Sequence, residues 1–168
     1  SSKTLFWADK DTGLSKNFWL RSIGWFLVAL ADVWDYMDGD GDGRAVIAGI
    51  FKEAIDGILL YQDQDSGMFW QVPSFPRREG NYLETSGSAM ISYALLKGAR
   101  LGILPSSYGE RGLEVFKGIV KEKMRDEDGD LNLKDICLVA GLGPENNPRR
   151  DGSYEYYISE PIVENDAK

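Results

Sequence analysis

Apolar residues recur at three- and four-residue intervals in four separate stretches of this 168-residue chain, the signature of amphipathic helices. The first predicted helix covers 16–37 with Ser15 as N-cap, and its stripe is Phe18, Ile23, Phe26, Leu27, Leu30, Val33 and Trp34. The second covers 44–62 along Val46, Ile47, Ile50, Phe51, Ala54, Ile55 and Ile58. The third covers 84–101 and is rich in small residues such as Ser86, Gly87, Ser88 and Ala89, which let helices approach closely. The fourth covers 107–124 along Leu113, Val115, Phe116, Ile119 and Val120. Between them the turns repeat: Asp11-Thr12-Gly13 and Asp65-Ser66-Gly67 lie 54 residues apart (11 to 65), and Asp128-Gly129 follows 63 later (65 to 128). That period fits a helical hairpin and its loops. Short strands are predicted at 68–72 and 131–133, and irregular loops at 73–81 and 141–150, where Pro, Gly, Asn and Arg gather. The fold class is therefore all-α, either an α/α toroid or an α-solenoid built of hairpins, with little β structure. A twelve-helix toroid needs roughly 300 residues, so this chain holds part of one.

Composition narrows the chemistry. Asp and Glu outnumber Lys and Arg 27 to 19, a formal charge of −8, which argues against nucleic acid as a partner. An anionic ligand would need a pocket made locally positive by named cations. There is no histidine, so a histidine base, a His-based triad and a His-ligated zinc site are excluded within this chain. Cys137 is the lone cysteine and cannot form an internal disulfide. Proton transfer therefore falls to carboxylates, Tyr or Lys. No apolar run is long enough to span a bilayer. Ser1 reads as a cut end, so the absence of a leader says nothing of the compartment, cytoplasm or periplasm.

Asp38, Asp40 and Asp42, spaced by glycines, match the first half of a calcium loop, but Gly49 stands where the bidentate Glu would be. With the weaker acidic turn at Asp126, Asp128 and Asp130, this leaves open a non-catalytic, calcium-binding dockerin-like module.

Three ordered blocks carry a family likeness. They are Trp7-Ala8-Asp9 with Thr12-Gly13-Leu14-Ser15 and Phe18-Trp19-Leu20-Arg21-Ser22-Ile23-Gly24-Trp25; Gly67-Met68-Phe69-Trp70-Gln71-Val72 with Asn81-Tyr82-Leu83-Glu84-Thr85-Ser86-Gly87-Ser88-Ala89-Met90; and Arg150-Asp151-Gly152-Ser153-Tyr154-Glu155-Tyr156-Tyr157. Together they resemble family 105 glycoside hydrolases, the unsaturated rhamnogalacturonyl hydrolases, and more distantly the family 88 unsaturated glucuronyl hydrolases. The resemblance implies an (α/α)₆ toroid of which residues 1–168 form a single incomplete domain, without the N-terminal hairpins and the last C-terminal helix. It implies Asp9 as general acid/base and Trp7, Arg21, Trp70, Arg78 and Tyr82 around the sugar. No cofactor or metal is implied. The partner is an oligosaccharide from pectin or another uronate-containing polysaccharide.

The reaction so implied is hydration of the C4=C5 bond of a terminal unsaturated uronic acid. Protonation at C4 gives an oxocarbenium-like cation, water adds at C5, and the opened product releases the neighbouring sugar. One carboxyl group serves both proton transfers, unlike the two of an ordinary glycosidase. Burial of Asp9 beside Phe6 and Trp7 is expected to raise its pKa for this task. Other toroid enzymes, a polysaccharide lyase or an inverting hydrolase, share the fold class. Arg21 is expected either at the substrate or as a buried partner within the fold, and Glu84 as a helix cap.

Overall fold

A computed structural model describes residues 4–37 and 41–166. Four long helices dominate: α1 (Leu20–Val33), α2 (Asp42–Leu59), α3 (Thr85–Arg100) and α4 (Ser107–Lys123), followed by a short α5 (Tyr154–Ile158). A single 3₁₀ turn, Trp34–Tyr36, follows α1. Helix α3 packs along both α1 and α4, and α2 lies against α1. Their shared core includes Leu20, Leu27, Phe51, Ile55, Met68, Phe69, Ile91, Leu95, Val115 and Ile119. Fully buried side chains of this size each contribute about 2 kcal/mol of hydrophobic stabilisation.

Small residues set the spacing, as their clustering in the sequence predicts. A Cβ on Gly24 would meet Met90 at 2.9 Å, and one on Gly87 would meet Leu20 at 2.7 Å, so α1 and α3 touch almost backbone to backbone. Gly118 of α4 sits under the loop that precedes α3, where a Cβ would fall 2.0 Å from the Ser66 carbonyl oxygen.

Helix α1 begins at Leu20, not at 16. Trp19 occupies the N-cap in extended conformation, and Ser15 donates to the Asn17 carbonyl (2.7 Å) instead of capping. The reason is tertiary: Leu20 N–H donates to the Gln71 carbonyl, which draws this residue onto the neighbouring loop. The strand expected at 68–72 reduces to one bridge, Trp70 opposite Leu83. The strand expected at 131–133 is present as β2 (Asp130–Leu133), antiparallel to β1 (Met124–Glu127). Asp128 and Gly129 both take left-handed φ (57° and 91°), the requirement of a tight two-residue hairpin turn. A second small pair, β3 (Ile136–Cys137) with β4 (Ile162–Val163), closes the C-terminal segment.

Of the acidic calcium-like loop, Asp42 is the first residue of α2, while Asp38 and Asp40 lie outside the described residues. The apolar stripes exceed what the chain buries. Trp25 is 54% exposed, and Phe26, Val46, Ile50, Tyr93, Leu113, Phe116 and Val120 also face outward. Among the described residues no helix is long and apolar enough to cross a membrane.

Gly118→Ala is expected to lower stability by about 3 kcal/mol through overpacking. Gly57→Ala, whose Cβ would meet nothing within 4 Å, is expected to stabilise by roughly 0.5–1 kcal/mol from helix propensity. Urea midpoints of the two variants check the pair; equal midpoints would contradict the packing described.

Candidate functional site

The loops that enter α1, α3 and α5 are bound to one another at one end of the helices. Gln71 is the link. It is fully buried, its carbonyl accepts from Leu20 N–H (3.1 Å), and its N–H donates to the Tyr82 carbonyl (2.8 Å). Its side chain accepts from the Trp19 indole (3.1 Å) and donates to the Tyr157 carbonyl (3.3 Å). Below it, the buried Glu84 carboxylate caps α3, accepting from Ser86 N–H and Oγ, Gly87 N–H and Cys137 N–H at 2.6–3.1 Å. This is the capping role the sequence suggests for Glu84.

Two of these loops carry the same aspartate-centred turn. Asp9 N–H donates to the Leu14 carbonyl and Gly13 N–H to the Asp9 carbonyl, both 2.8 Å. At the matching positions, 54 residues on (9 to 63), Asp63 N–H donates to Met68 and Gly67 N–H to Asp63, at 2.9 and 2.8 Å. Gly13 and Gly67 take φ of 79° and 73°, the left-handed geometry that suits glycine. The repeat is thus structural, but its pivots are Asp9 and Asp63, two residues before the Asp11 and Asp65 that the sequence pattern marks.

Asp9 borders an open depression of about 530 Å³ lined also by Phe6, Trp7, Thr12, Leu14 and Lys16. Its carboxylate is exposed, which corrects the expected burial. The Thr12 N–H and hydroxyl and the Asp11 N–H donate to it and hold its pKa below the ordinary carboxylate value. All three donors converge on Oδ1, at 2.8–3.0 Å. Among the described residues no bond reaches Oδ2, and Asp9 is part of the depression's lining.

Of the residues expected around a sugar, Trp7 lines this depression with Asp9. The others lie elsewhere. Arg21 is buried (1% exposed) and lies 5.1 Å over the Trp19 ring, with its guanidinium donating to Ser86 Oγ (3.2 Å) and the Leu138 carbonyl (2.8 Å). That places Arg21 as a strut of the fold, held by neutral acceptors. Tyr82 puts its hydroxyl in the interior beside Cys137, and burial pushes its pKa up. Arg78 lies over the Tyr154 ring (3.8 Å) and pairs with Glu155 at 2.9 Å. Trp70 borders a separate depression around Asp63. Among the described residues no group of three or more Cys, Asp or Glu gathers as a metal site.

The Asp9 loop is held from the far end of the chain. Lys16 pairs with Asp151 at 2.6 Å, and Asn17 donates to the Gly152 carbonyl at 3.0 Å. Partial burial disfavours the Asp151 charge, yet the bonds from Lys16 and Ser153 prevail and hold its pKa at about 2. Asp63, Gln71, Lys16 and Asp151 were not singled out from sequence. The 54-residue repeat carried a signal for Asp63, Gln71 and Asp151 stand within the family-like blocks without a role of their own, and nothing local marks Lys16.

Comparison with known proteins supplies the class. A solved glycoside hydrolase from family 105 of C. acetobutylicum is 46% identical, with a TM-score of 0.93 over 99% of this chain and 46% of that one. A possible family 105 member from Klebsiella pneumoniae, 21% identical, shares the fold at a TM-score of 0.70 over 94% of this chain and 41% of its own. A 24.9 kDa protein in the picA locus of Rhizobium radiobacter is 36% identical over 172 residues, covering 99% of this chain and 73% of that protein. The class is thus that of the helical glycoside hydrolases, and the chain spans about half the length of the solved relative. The profile of Glycosyl Hydrolase Family 88 matches residues 1–168, and the chain belongs to that family.

The Lys16–Asp151 link is acid-labile. Because the folded pKa is depressed, the stability this carboxylate lends is complete above about pH 4, near its unfolded pKa of about 3.9, and is lost as pH falls towards 2. A carboxyl-carbon NMR titration is expected to give Asp151 a midpoint near 2, rising towards the ordinary value in Lys16→Ala. An unchanged midpoint in that variant would remove Lys16 as the cause.

Proposed function

We propose that this chain carries the proton-transfer aspartate of an unsaturated uronyl hydrolase, and that Asp9 hydrates the C4=C5 bond of a terminal unsaturated galacturonyl or glucuronyl residue. The observation that carries the reading is the one-sided bonding of Asp9 within a chain of this family: Oδ1 is fixed by three donors, Oδ2 takes none among the described residues, and the residue lines a depression shared with the Trp7 indole. Fixing one oxygen orients the other, which reduces the reorganisation needed for proton transfer.

At rest Asp9 is a carboxylate. Binding of an unsaturated uronate brings a second negative charge and excludes water, and both effects raise the Asp9 pKa. The acid then gives its proton to C4. As water adds to the C5 cation, the Asp9 carboxylate takes a proton from it, so the group is again protonated, as in the substrate complex, and returns to the carboxylate when product leaves and water re-enters. The hemiketal opens and the neighbouring sugar departs. The cation on this depression is Lys16, which is paired with Asp151 and offers a partner for the substrate carboxylate. Trp7 offers a face for the sugar ring.

The same reading makes residues 1–168 a single incomplete (α/α)₆ domain. The 46% share of the C. acetobutylicum chain and the outward apolar residues Trp25, Phe26 and Tyr93 support a piece that packs against further hairpins of a ring. Pectin-derived oligosaccharides are the proposed substrates.

Asp9→Asn is expected to reduce turnover of an unsaturated uronyl disaccharide by roughly 10²–10⁴-fold, with its far-ultraviolet circular dichroism unchanged. Loss of alkene absorbance reads the hydration. An active Asn variant, or a parent enzyme that instead creates new alkene from saturated polymer as a lyase does, would overturn the assignment.

A further inference from the structure

We propose that the depression around Asp63 is a second saccharide site, separate from the Asp9 depression and selective for a neutral pyranose. It is about 310 Å³, the lower end of small-ligand pockets, and is walled by Tyr61, Trp70, Pro73 and Pro76, with Asp65 and Arg77 at its edge. The internal repeat sets Tyr61 and Asp63 where Trp7 and Asp9 stand in the first depression.

The two copies differ at the carboxylate. Asp63 is held on both oxygens: Ser66 N–H (3.0 Å) and Oγ (2.8 Å) donate to Oδ2, and Arg77 lies 3.4 Å from Oδ1. Its side chain is 7% exposed. With both oxygens engaged and the side chain enclosed, this copy lacks the unbonded oxygen that Asp9 keeps, and its assigned role is binding. What remains is a recognition set. Two aromatic rings and two prolines offer apolar surface to the C–H face of a sugar ring. The guanidinium of Arg77, which also bonds Asp65, forms with that carboxylate a donor and acceptor pair suited to a vicinal diol. Two carboxylates against one guanidinium leave the site with a formal charge of −1. A uronate is therefore disfavoured and a neutral sugar preferred.

The saccharide class rests on the function proposed above, whereas the site itself makes no use of Asp9. The test is a titration of ¹⁵N-labelled protein with methyl α-rhamnopyranoside, methyl β-galactopyranoside and sodium galacturonate. The Trp70 indole signal, assigned through Trp70→Phe, is the readout. At least one neutral glycoside is expected to shift it saturably, with galacturonate several-fold weaker. Asp65→Ala, a substitution at a largely exposed side chain, is expected to weaken binding about tenfold, and Asp9→Asn to leave it unchanged. No saturable shift with either neutral glycoside, galacturonate binding as tightly, or an unaffected Asp65→Ala variant would overturn the proposal. Each of these can occur with hydrolysis intact, so failure here is distinguishable from failure of the Asp9 reading.

Discussion

The structure depends on burying a carboxylate without leaving it alone. Glu84 is fully enclosed, and four hydrogen-bond donors from two segments surround it. An unpaired buried charge costs several kcal/mol, so the chain can adopt this arrangement only when the start of α3 and the strand at Cys137 arrive together. Gln71, one layer above, fastens the entries to α1 and α5 in the same manner with a neutral side chain. These two residues fix the relative heights of the helix N-termini.

The repeated aspartate turn shows how a duplicated element diverges by small steps. In both copies the backbone is closed by the same pair of main-chain bonds. In the first, Thr12 and Asp11 load one oxygen; in the second, an arginine drawn from the irregular loop loads the other as well. Arg77 reaches this position with φ at 61°, outside the usual range for a side-chain-bearing residue. A change in a distant loop thus alters the chemistry open to a carboxylate whose own turn is unaltered.

The helical core was legible because it obeys a local period. The stripes through Leu27, Ile55 and Ile119 reach the core, although they also take in residues such as Phe26, Ile50 and Phe116 that face outward. The start of α1 was misplaced by four residues (16 to 20) because Leu20 answers to Gln71, a partner no local rule names. The turn repeat was visible, but the pattern drew the eye to Asp11 and Asp65, while the bonds centre on Asp9 and Asp63. Residue type alone suggested that Asp9 would be sheltered by Phe6 and Trp7; the backbone instead turns its carboxylate outward onto its own amides. Arg21 was ambiguous because burial and ligand contact ask for the same side chain, and only coordinates separate them. The pairing of β3 with β4 joins stretches of two residues, too short to carry any period.

The seat of the Asp9 loop has a consequence for how the molecule forms. Lys16 and Asn17 are anchored to Asp151 and Gly152, 135 positions along the chain. Contacts so remote in sequence close a long loop and come late in folding. The helices can assemble from neighbouring stretches as they emerge from the ribosome. The Asp9 loop must wait for a segment 135 positions further along before it is seated, so the depression beside it takes shape after the helices that flank it.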